Sequence, residues 1–241
     1  MVGKHVIIVP ELDSTSNYVA KLNSEGKVAS GTVILAEIQT SGRGQRGKTW
    51  DTSHKKQFTA SYFEQTDFLS GEQLAFFNMA IALAVRETIS VLSTKEVAIK
   101  WPNDILINDK KISCLLIDIL WENGRPKHAI LGIGINIHPV ELKTATSLNE
   151  HNPEINSIFQ VLDELSRNLT TVFFLLKNGR FEEIKQQYHD HLWRKGIKQQ
   201  AKVKDEILEV KIESVNDSGQ LILEIKNGLE VVNLQEIEFF Y

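Results

Sequence analysis

The sequence predicts an α+β fold in which a mixed sheet with packed helices is followed by a small all-β module. Short β-branched runs and amphipathic helical patterns share the chain up to about residue 195, and after Gly196 only strand-like alternation remains. The 241 residues, 42% apolar and 24% charged, suit a globular chain with a full core and exclude collagen-like or low-complexity structure. We therefore predict one domain at residues 1–195 and a second at 196–241.

The first three elements follow from local pattern. Residues 6–9 form a β-branched run that Pro10 ends, which is typical of a buried strand. Residues 13–16 (DSTS) supply N-cap side chains for a helix that ends near Gly26. Residues 32–38 form a second β-rich run and predict the second strand.

A basic, glycine-rich segment separates the second strand from the third. Residues 39–57 hold three glycines and five Lys or Arg but almost no aliphatic side chain, which predicts a long surface loop. Residues 57–63 alternate as a strand does. Residues 72–92 repeat apolar side chains at i, i+3 and i+4, which predicts a core-facing helix. Two short strands are predicted at 97–100 and 105–107.

The second half of the chain begins with two long apolar strands. They are predicted at 112–120 and at 128–137, the latter interrupted by glycines. Two amphipathic helices follow at 155–176 and 181–193, on either side of a glycine break. The remaining chain alternates with period two around a turn at 216–219 (NDSG), as a hairpin does.

Charge and cysteine content narrow the class of protein. Twenty-seven Lys and Arg against 31 Asp and Glu give a formal charge of −4, so no global charge attracts a polyanion or an anionic membrane surface. Cys114 has no second cysteine with which to form an internal disulfide, which fits a reducing compartment. The apolar run at 6–9 is too short for a signal peptide or a membrane span. We expect a cytoplasmic protein that does not bind a membrane.

Four segments carry residues suited to ligand chemistry. Residues 42–48 (GRGQRGK) combine backbone freedom with cations that bind carboxylate or phosphate, although a solvated basic loop explains them about equally well. Residues 100–104 (KWPND) form a rigid bend with a donor and an acceptor, or else a plain turn around a buried Trp. Lys111 is either a half-buried cation that stabilises developing negative charge or a turn lysine. The glycines of 132–136 (GIGIN) mark close approach of a ligand or a packing bulge.

In this order and at these separations, GRGQRGKTW, KWPND, the Lys111 turn and GIGIN resemble the signature of biotin–protein ligases, also called biotin–[acetyl-CoA-carboxylase] ligases. Residues 13–15, residues 145–148 and the β module also fall where that family has them, so the resemblance covers nearly the whole chain. It implies a catalytic domain like that of class II aminoacyl-tRNA synthetases, with an SH3-like β-barrel after it. It also implies an ATP-dependent ligase that forms biotinyl-5′-AMP and pyrophosphate, then biotinylates one lysine of a biotin carboxyl carrier protein.

The resemblance further implies roles for individual residues. Lys111, Arg43 and Arg46 are expected to supply the positive charge that brings a carboxylate and a triphosphate together. The residues expected to bind biotin are Ser14, Thr15, Gln39, Gly42, Arg43, Gly44, Gln45 and Lys111. Those expected to bind ATP or the adenylate are Arg43, Arg46, Trp50, Asn103, Asp104, Lys111, Gly134 and Asn136, with Trp50 closing against the adenine. Mg²⁺ is expected through the phosphates and water, since the sequence shows no dedicated metal site.

The chain departs from the family pattern in three places. Gln45 stands where an Arg is usual, and Lys55-Lys56-Gln57 replaces the usual Gly-x-Asn. Cys114 replaces a glycine beside the expected biotin tail. The first change removes a cation beside the phosphate, the second alters the end of the loop, and the third narrows the biotin pocket.

Three other functions compete with that of a biotin ligase. A lipoate–protein ligase has a similar fold and also forms an acyl-adenylate, but the GRGxRG loop and KWPND favour biotin. A DNA-binding biotin sensor would need about 60 residues of helix-turn-helix domain before a catalytic pattern that here starts within the first 15 residues, so no DNA partner is expected. A biotinylated carrier would need a lysine between two methionines. The methionines of this sequence are Met1 and Met79, so it does not have that motif. The sequence leaves open whether the protein is a monomer or a homodimer.

Overall fold

The larger of two sheets has seven strands and frames the computed structural model, which describes residues 2–42, 44, 50 and 57–240. Its strands are β1 (His5–Leu12), β2 (Thr32–Gln39), β3 (Phe58–Gln65), β4 (Val97–Lys100), β5 (Asp104–Ile107), β6 (Lys110–Glu122) and β7 (Arg125–Ile135). They lie in the order β1-β2-β3-β7-β6-β5-β4. β1 pairs with β2 in parallel and the other neighbours pair antiparallel. The sheet is therefore mixed, as the sequence predicts. The prediction of a buried strand that Pro10 ends is wrong, because β1 is an edge strand that continues through Pro10 to Leu12 and leaves Val6, Ile7 and Ile8 exposed.

Helices cover both faces of this sheet. They are α1 (Thr15–Ser24), α2 (Leu74–Leu92), α3 (Leu148–His151), α4 (Ile158–Lys177) and α5 (Phe181–Asp190). α2 packs on the sheet, α4 and α5 pack against α2, and their apolar side chains share one buried cluster with Tyr62, Leu115 and Ile133. α1 packs on the opposite face, where Val19 lies in a smaller cluster with Ile34. Because successive residues of a strand point to opposite faces, the same strands contribute to both clusters.

The central helix of the core is α2. With the turn before it, the segment Gly71–Leu92 is long enough and apolar enough to cross a membrane, but 61% of its most apolar window is buried inside the protein. A helix that is apolar on most sides suits a core position between a sheet and other helices.

A second, five-stranded antiparallel sheet follows α5. Its strands are β8 (Lys198–Val203), β9 (Glu206–Val215), β10 (Leu221–Ile225), β11 (Gly228–Val232) and β12 (Ile237–Phe239), in the order β11-β10-β9-β8-β12. Trp101 Nε1 donates to Gly219 O at 3.0 Å, and Val215 N–H donates to His189 Nε2 at 3.0 Å, so polar contacts join this sheet to the rest. The division into two domains at residue 196 and the SH3-like form of the second stay predictions.

The last helix is shorter than its sequence pattern. The amphipathic pattern at 181–193 predicts helix throughout, but α5 ends at Asp190. Ile99 N–H donates to His191 O and Trp193 N–H donates to Ile99 O, both at 2.8 Å. The backbone of residues 191–193 therefore hydrogen-bonds with the open edge of β4 and does not continue the helix. The amphipathic pattern of 181–193 carries no information about this edge.

Candidate active site

A trough of small residues runs along β7 on the sheet face that α1 covers. Its floor is Gly132 and Gly134. The residues beside the floor are Leu116 and Ser61 next to Gly132, and Cys114 and Thr59 next to Gly134. Directly opposed residues of antiparallel neighbours point to the same face, so all six share it. We call this feature the glycine trough.

The first turn of α1 closes one end of the glycine trough with a chain of hydroxyl groups. Ser16 Oγ lies 2.9 Å from Ser61 Oγ, which donates to Thr15 Oγ1 at 2.8 Å. Thr15 donates from its N–H and its Oγ1 to Gln39 Oε1, at 2.7 and 3.1 Å. A Cβ at Gly132 would lie 2.7 Å from Ser16 Oγ, so α1 approaches the sheet this closely because the floor is glycine. The linked hydroxyls hold one another in fixed orientations.

Trp50 lies across the other end of the glycine trough. A Cβ at Gly134 would lie 2.5 Å from Cε2 of the indole, so the ring rests directly on this glycine. Trp50 N–H donates to Gly42 O at 2.9 Å, and a Cβ at Gly42 would lie 2.4 Å from Trp50 O. The indole Nε1 is buried and has no hydrogen-bond partner in the part of the chain that the structure describes.

Lys111 places a positive charge beside the glycine trough. Its Nζ lies 2.7 Å from Asp104 Oδ1. Burial lowers the pKa of Lys111, but the adjacent Cys114 and Asp104 side chains outweigh burial and raise the pKa above the ordinary lysine value. The half-buried ammonium is therefore charged at neutral pH. Lys111 N–H donates to Thr144 O and Thr146 N–H donates to Lys111 O, both at 2.9 Å, which fixes the backbone beneath the side chain.

Asn103 and Asn136 use their side-chain donors within the protein. Asn103 Nδ2 donates to Leu115 O at 2.8 Å, and Asn136 Nδ2 donates to Thr146 O at 3.0 Å. Both side chains are buried. Each amide therefore locks a loop against the sheet, and its position relative to Lys111 is set before any ligand contact.

Two cavities meet at Trp50 and Cys114. The smaller, of about 30 Å³, lies in the glycine trough, and its predicted site residues are Ser14, Thr15, Gln39, Trp50 and Gly134. The larger, of about 830 Å³, is lined by the predicted residues Gly44, Trp50, Asn103, Asp104 and Lys111. Among the described residues, Gly42 and Asn136 are the predicted site residues that line neither cavity. Arg43, Gln45 and Arg46 lie outside the described residues.

The second sheet also borders the larger cavity, which the sequence pattern does not indicate. Lys202, Lys204 and Asp205 line it together with residues 234–239. These positions belong to a plainly alternating sequence and reach the site through the packing of one sheet on the other. The polar wall of the glycine trough is different, because small polar residues at alternate positions of 57–63 are a readable signal of a polar face.

Two of the three departures from the family pattern fall on described residues. Gln57 is buried; its Oε1 accepts from Ile137 N–H at 2.7 Å and its Nε2 donates to His138 O at 2.9 Å. The amide thus extends the β3–β7 pairing by one side chain and anchors the end of the loop. Cys114 is 8% exposed and lines both cavities, so its side chain does occupy space beside the trough. Lys55 and Lys56 lie outside the described residues.

The described side chains provide few ligands for a resident metal ion. In the described ranges no group of three or more His, Cys, Asp or Glu side chains could hold a metal ion. Asp104 lines the larger cavity and offers one carboxylate, which suits an ion that keeps most of its ligands from water and phosphate.

Comparisons with known proteins identify the family of the chain. The sequence model of the biotin/lipoate A/B protein ligase family matches residues 8–136, which is more than half of the chain. The bifunctional ligase/repressor BirA of Bacillus subtilis is 27% identical over 245 residues, covering 99% of this chain and 75% of its own. The biotin–[acetyl-CoA-carboxylase] ligase of Mycobacterium tuberculosis is 27% identical over 133 residues, covering 54% of this chain and 48% of its own.

Solved structures show the same fold along the whole chain. The biotin protein ligase of Aquifex aeolicus in its apo form has a TM-score of 0.79 at 22% identity and covers 100% of both chains. The same enzyme in complex with biotin and ATP has a TM-score of 0.76 at 25% identity, covering 98% of this chain and 99% of its own. The mixed sheet with packed helices predicted from the sequence is thereby confirmed.

Proposed function

The chain belongs to the biotin/lipoate A/B protein ligase family, and we propose that it is a biotin–protein ligase. It joins biotin to ATP to form biotinyl-5′-AMP and pyrophosphate, and then transfers the biotinyl group to a lysine of a biotin carboxyl carrier protein. The observation that carries this proposal is the position of Lys111. Its side chain lines a cavity large enough for a nucleotide, and it interacts with Cys114, which lines both that cavity and the polar, glycine-floored trough.

In the first step a carboxylate oxygen of biotin attacks the α-phosphorus of ATP, and pyrophosphate leaves. Both reactants are anions, so the step needs fixed cations that hold them together and stabilise the added charge. Lys111 supplies one, kept charged by Asp104 at 2.7 Å. By their match to the family motif, Arg43 and Arg46 supply the others. Mg²⁺ held by the phosphates, with Asp104 as the nearest described carboxylate, would neutralise part of the triphosphate charge.

The glycine trough suits the uncharged head of biotin. A cyclic urea presents one strong acceptor and two N–H donors, and it needs both kinds of partner in fixed positions. Ser14, Thr15 and Gln39 line the trough, and the hydroxyl chain that ends at Gln39 Oε1 orients Thr15 and Gln39. The head therefore binds at the α1 end of the trough, and the carboxylate points toward Lys111.

The nucleotide occupies the larger cavity. Asn103 and Asp104 line it at the end of the turn before β5, and Gly134 lies at its border with the trough. Asn136 contributes through the backbone that it locks to Thr146. We infer that Trp50 covers the adenine in the loaded enzyme, since the indole already lines this cavity.

The second step needs no nucleophile from the ligase. The mixed anhydride is already activated, so the amine of the carrier lysine attacks the biotinyl carbonyl carbon and AMP leaves. The enzyme must meanwhile exclude water from the anhydride. We infer that the carrier meets the enzyme in the cytoplasm, which agrees with the single cysteine of the sequence.

The test is biotin-dependent exchange of labelled pyrophosphate into ATP, with lipoate as the competing substrate. We expect exchange with biotin, and one biotinyl addition to a carrier domain by mass spectrometry. Exchange with lipoate alone would instead establish a lipoate–protein ligase.

Lys111→Ala should lower the exchange rate by about 10²–10³, the usual effect of removing one donor to a developing charge. Lys127→Ala is the matched control, because Lys127 is a partly exposed lysine that pairs with Glu122 at 3.0 Å and lines neither cavity. Exchange by Lys111→Ala at the rate of the Lys127→Ala control would contradict the role assigned to Lys111.

A further inference from the structure

The glycine trough is nearly filled by the protein itself. Its cavity encloses about 30 Å³, whereas small-molecule sites enclose roughly 300–1,000 Å³. The group that takes the remaining space above Gly134 is the indole of Trp50, which a Cβ at that glycine would meet at 2.5–2.8 Å.

We propose that Trp50 competes with biotin for the glycine trough, so that biotin binds by displacing the indole. The inference rests on the proposed function. With the head of biotin near Thr15 and Gln39 and its carboxylate near Lys111, the chain between them must cross the row of residues that joins Cys114 to Thr59. Gly134 lies between these two residues in that row, and the indole covers it.

The contacts of Trp50 suit a side chain that must leave. The ring gains apolar contact with the trough, and the backbone N–H of Trp50 donates to Gly42 O. Against this, the indole N–H is buried without an acceptor in the described part of the chain, and an unsatisfied buried donor costs free energy. When the ring is displaced, this N–H can hydrogen-bond with water or with a ligand. That gain offsets part of the apolar contact that is lost, so the ring is only moderately stable in the trough.

A competing side chain weakens the apparent affinity for biotin by a predictable amount. When the binding-competent arrangement is only a fraction of the population, the apparent dissociation constant rises by the inverse of that fraction. If the ring leaves the trough in roughly one molecule in ten, removal of the ring tightens biotin binding about tenfold. Trp50 thus lowers the affinity of the empty enzyme for biotin, in addition to the role against the adenine proposed above.

The experiment is calorimetric titration of the full chain with biotin in the absence of ATP. We expect Trp50→Ala to bind biotin about tenfold more tightly than the wild type. Trp121→Ala is the matched control, because Trp121 is 54% exposed on β6, and it should bind biotin as the wild type does. The observed rate constant for biotin binding, followed by stopped flow, provides a second measurement. For the wild type it should level off at high biotin concentration, because displacement of the ring becomes rate-limiting. For Trp50→Ala it should keep rising with biotin concentration.

Unchanged or weaker binding by Trp50→Ala, with wild-type rates that rise linearly, would overturn the competition while leaving the ligase activity in place. Failure of the folded wild type and of both variants to bind biotin would overturn the proposed function and this inference together. Circular dichroism of each protein establishes that it is folded.

Discussion

The two faces of β3, β6 and β7 share one backbone, but one face packs in the core and the other lines the glycine trough. On one face Tyr62, Leu115 and Ile133 are fully or almost fully buried in the core under α2. On the other face the neighbouring positions hold small residues such as Ser61 and Gly134, which leave room for the glycine trough. Because side chains alternate along a strand, packing and binding are assigned to separate columns of residues. Removing volume should therefore harm the core face, and adding volume should harm the trough face.

The largest effect on stability is expected from Leu131→Ala on the core face. Leu131 is fully buried in the main apolar cluster. Truncation removes apolar contact and leaves a cavity, which costs about 2–5 kcal/mol. Urea unfolding followed by circular dichroism measures the change. The KM for biotin of the folded enzyme should stay the same, and a marked rise in KM would show that the two faces are not separable.

A carboxyl group on the core face allows a sharper comparison. Glu64 is 6% exposed, and burial raises its pKa to about 7, although the Ser30 hydroxyl donates to it at 3.3 Å. The unfolded chain releases this proton near pH 4.5 and the folded chain near pH 7, so the folded state binds more protons between these values. Stability from this group is complete below pH 4.5 and is lost as pH rises through 7.

Glu64→Gln should remove that loss, because an amide stays neutral. We expect the variant to gain about 2 kcal/mol relative to the wild type between pH 5 and pH 8, from a shift of about two and a half pKa units at about 1.4 kcal/mol each, reduced for the imperfectly bonded amide. Urea unfolding of both proteins at pH 5 and at pH 8 measures this gain. If the difference in free energy of unfolding between variant and wild type is the same at the two pH values, Glu64 does not titrate as a buried carboxyl.

The smallest effect on stability is expected from Gly132→Ala on the trough face. The added Cβ would lie 2.7 Å from Ser16 Oγ and 3.3 Å from Leu116 O, so the first turn of α1 must shift by a few tenths of an ångström. Overpacking of this size costs about 1 kcal/mol. Since the shift disturbs the hydroxyl chain through Ser61 and Thr15, biotin affinity should fall at least tenfold. Calorimetric titration with biotin measures the affinity. An unchanged affinity would contradict the proposal that the first turn of α1 forms part of the biotin site.

Much of the fold could be predicted because its elements are long and strongly periodic. The helix at 72–92 and the strands at 112–120 and 128–137 appear within a few residues of their predicted positions. The end of α5 could not be predicted, because the edge of β4 competes for its backbone. Local periodicity does not report a partner about 90 residues away along the chain.

The candidate site divides in the same way. Ser14, Thr15, Gln39 and Lys111 could be named from motifs, and the structure places them at the two cavities. Lys202 and Lys204 could not be named, because only the packing of the second sheet brings them to the larger cavity. The roles of all these residues stay predictions until the variants are measured.

The sequence by itself determined which residue types stand at alternate positions of each strand, and hence that residues 57–63 would present small polar side chains on one face and apolar ones on the other. It also determined the family, since the four motifs depend on residue identity and order alone. Only the tertiary structure decided the register that sets Cys114, Gly134 and Thr59 in one row, and the seat of Trp50 on Gly134. Those contacts join residues far apart along the chain, and their geometry follows from how whole elements pack rather than from any local preference.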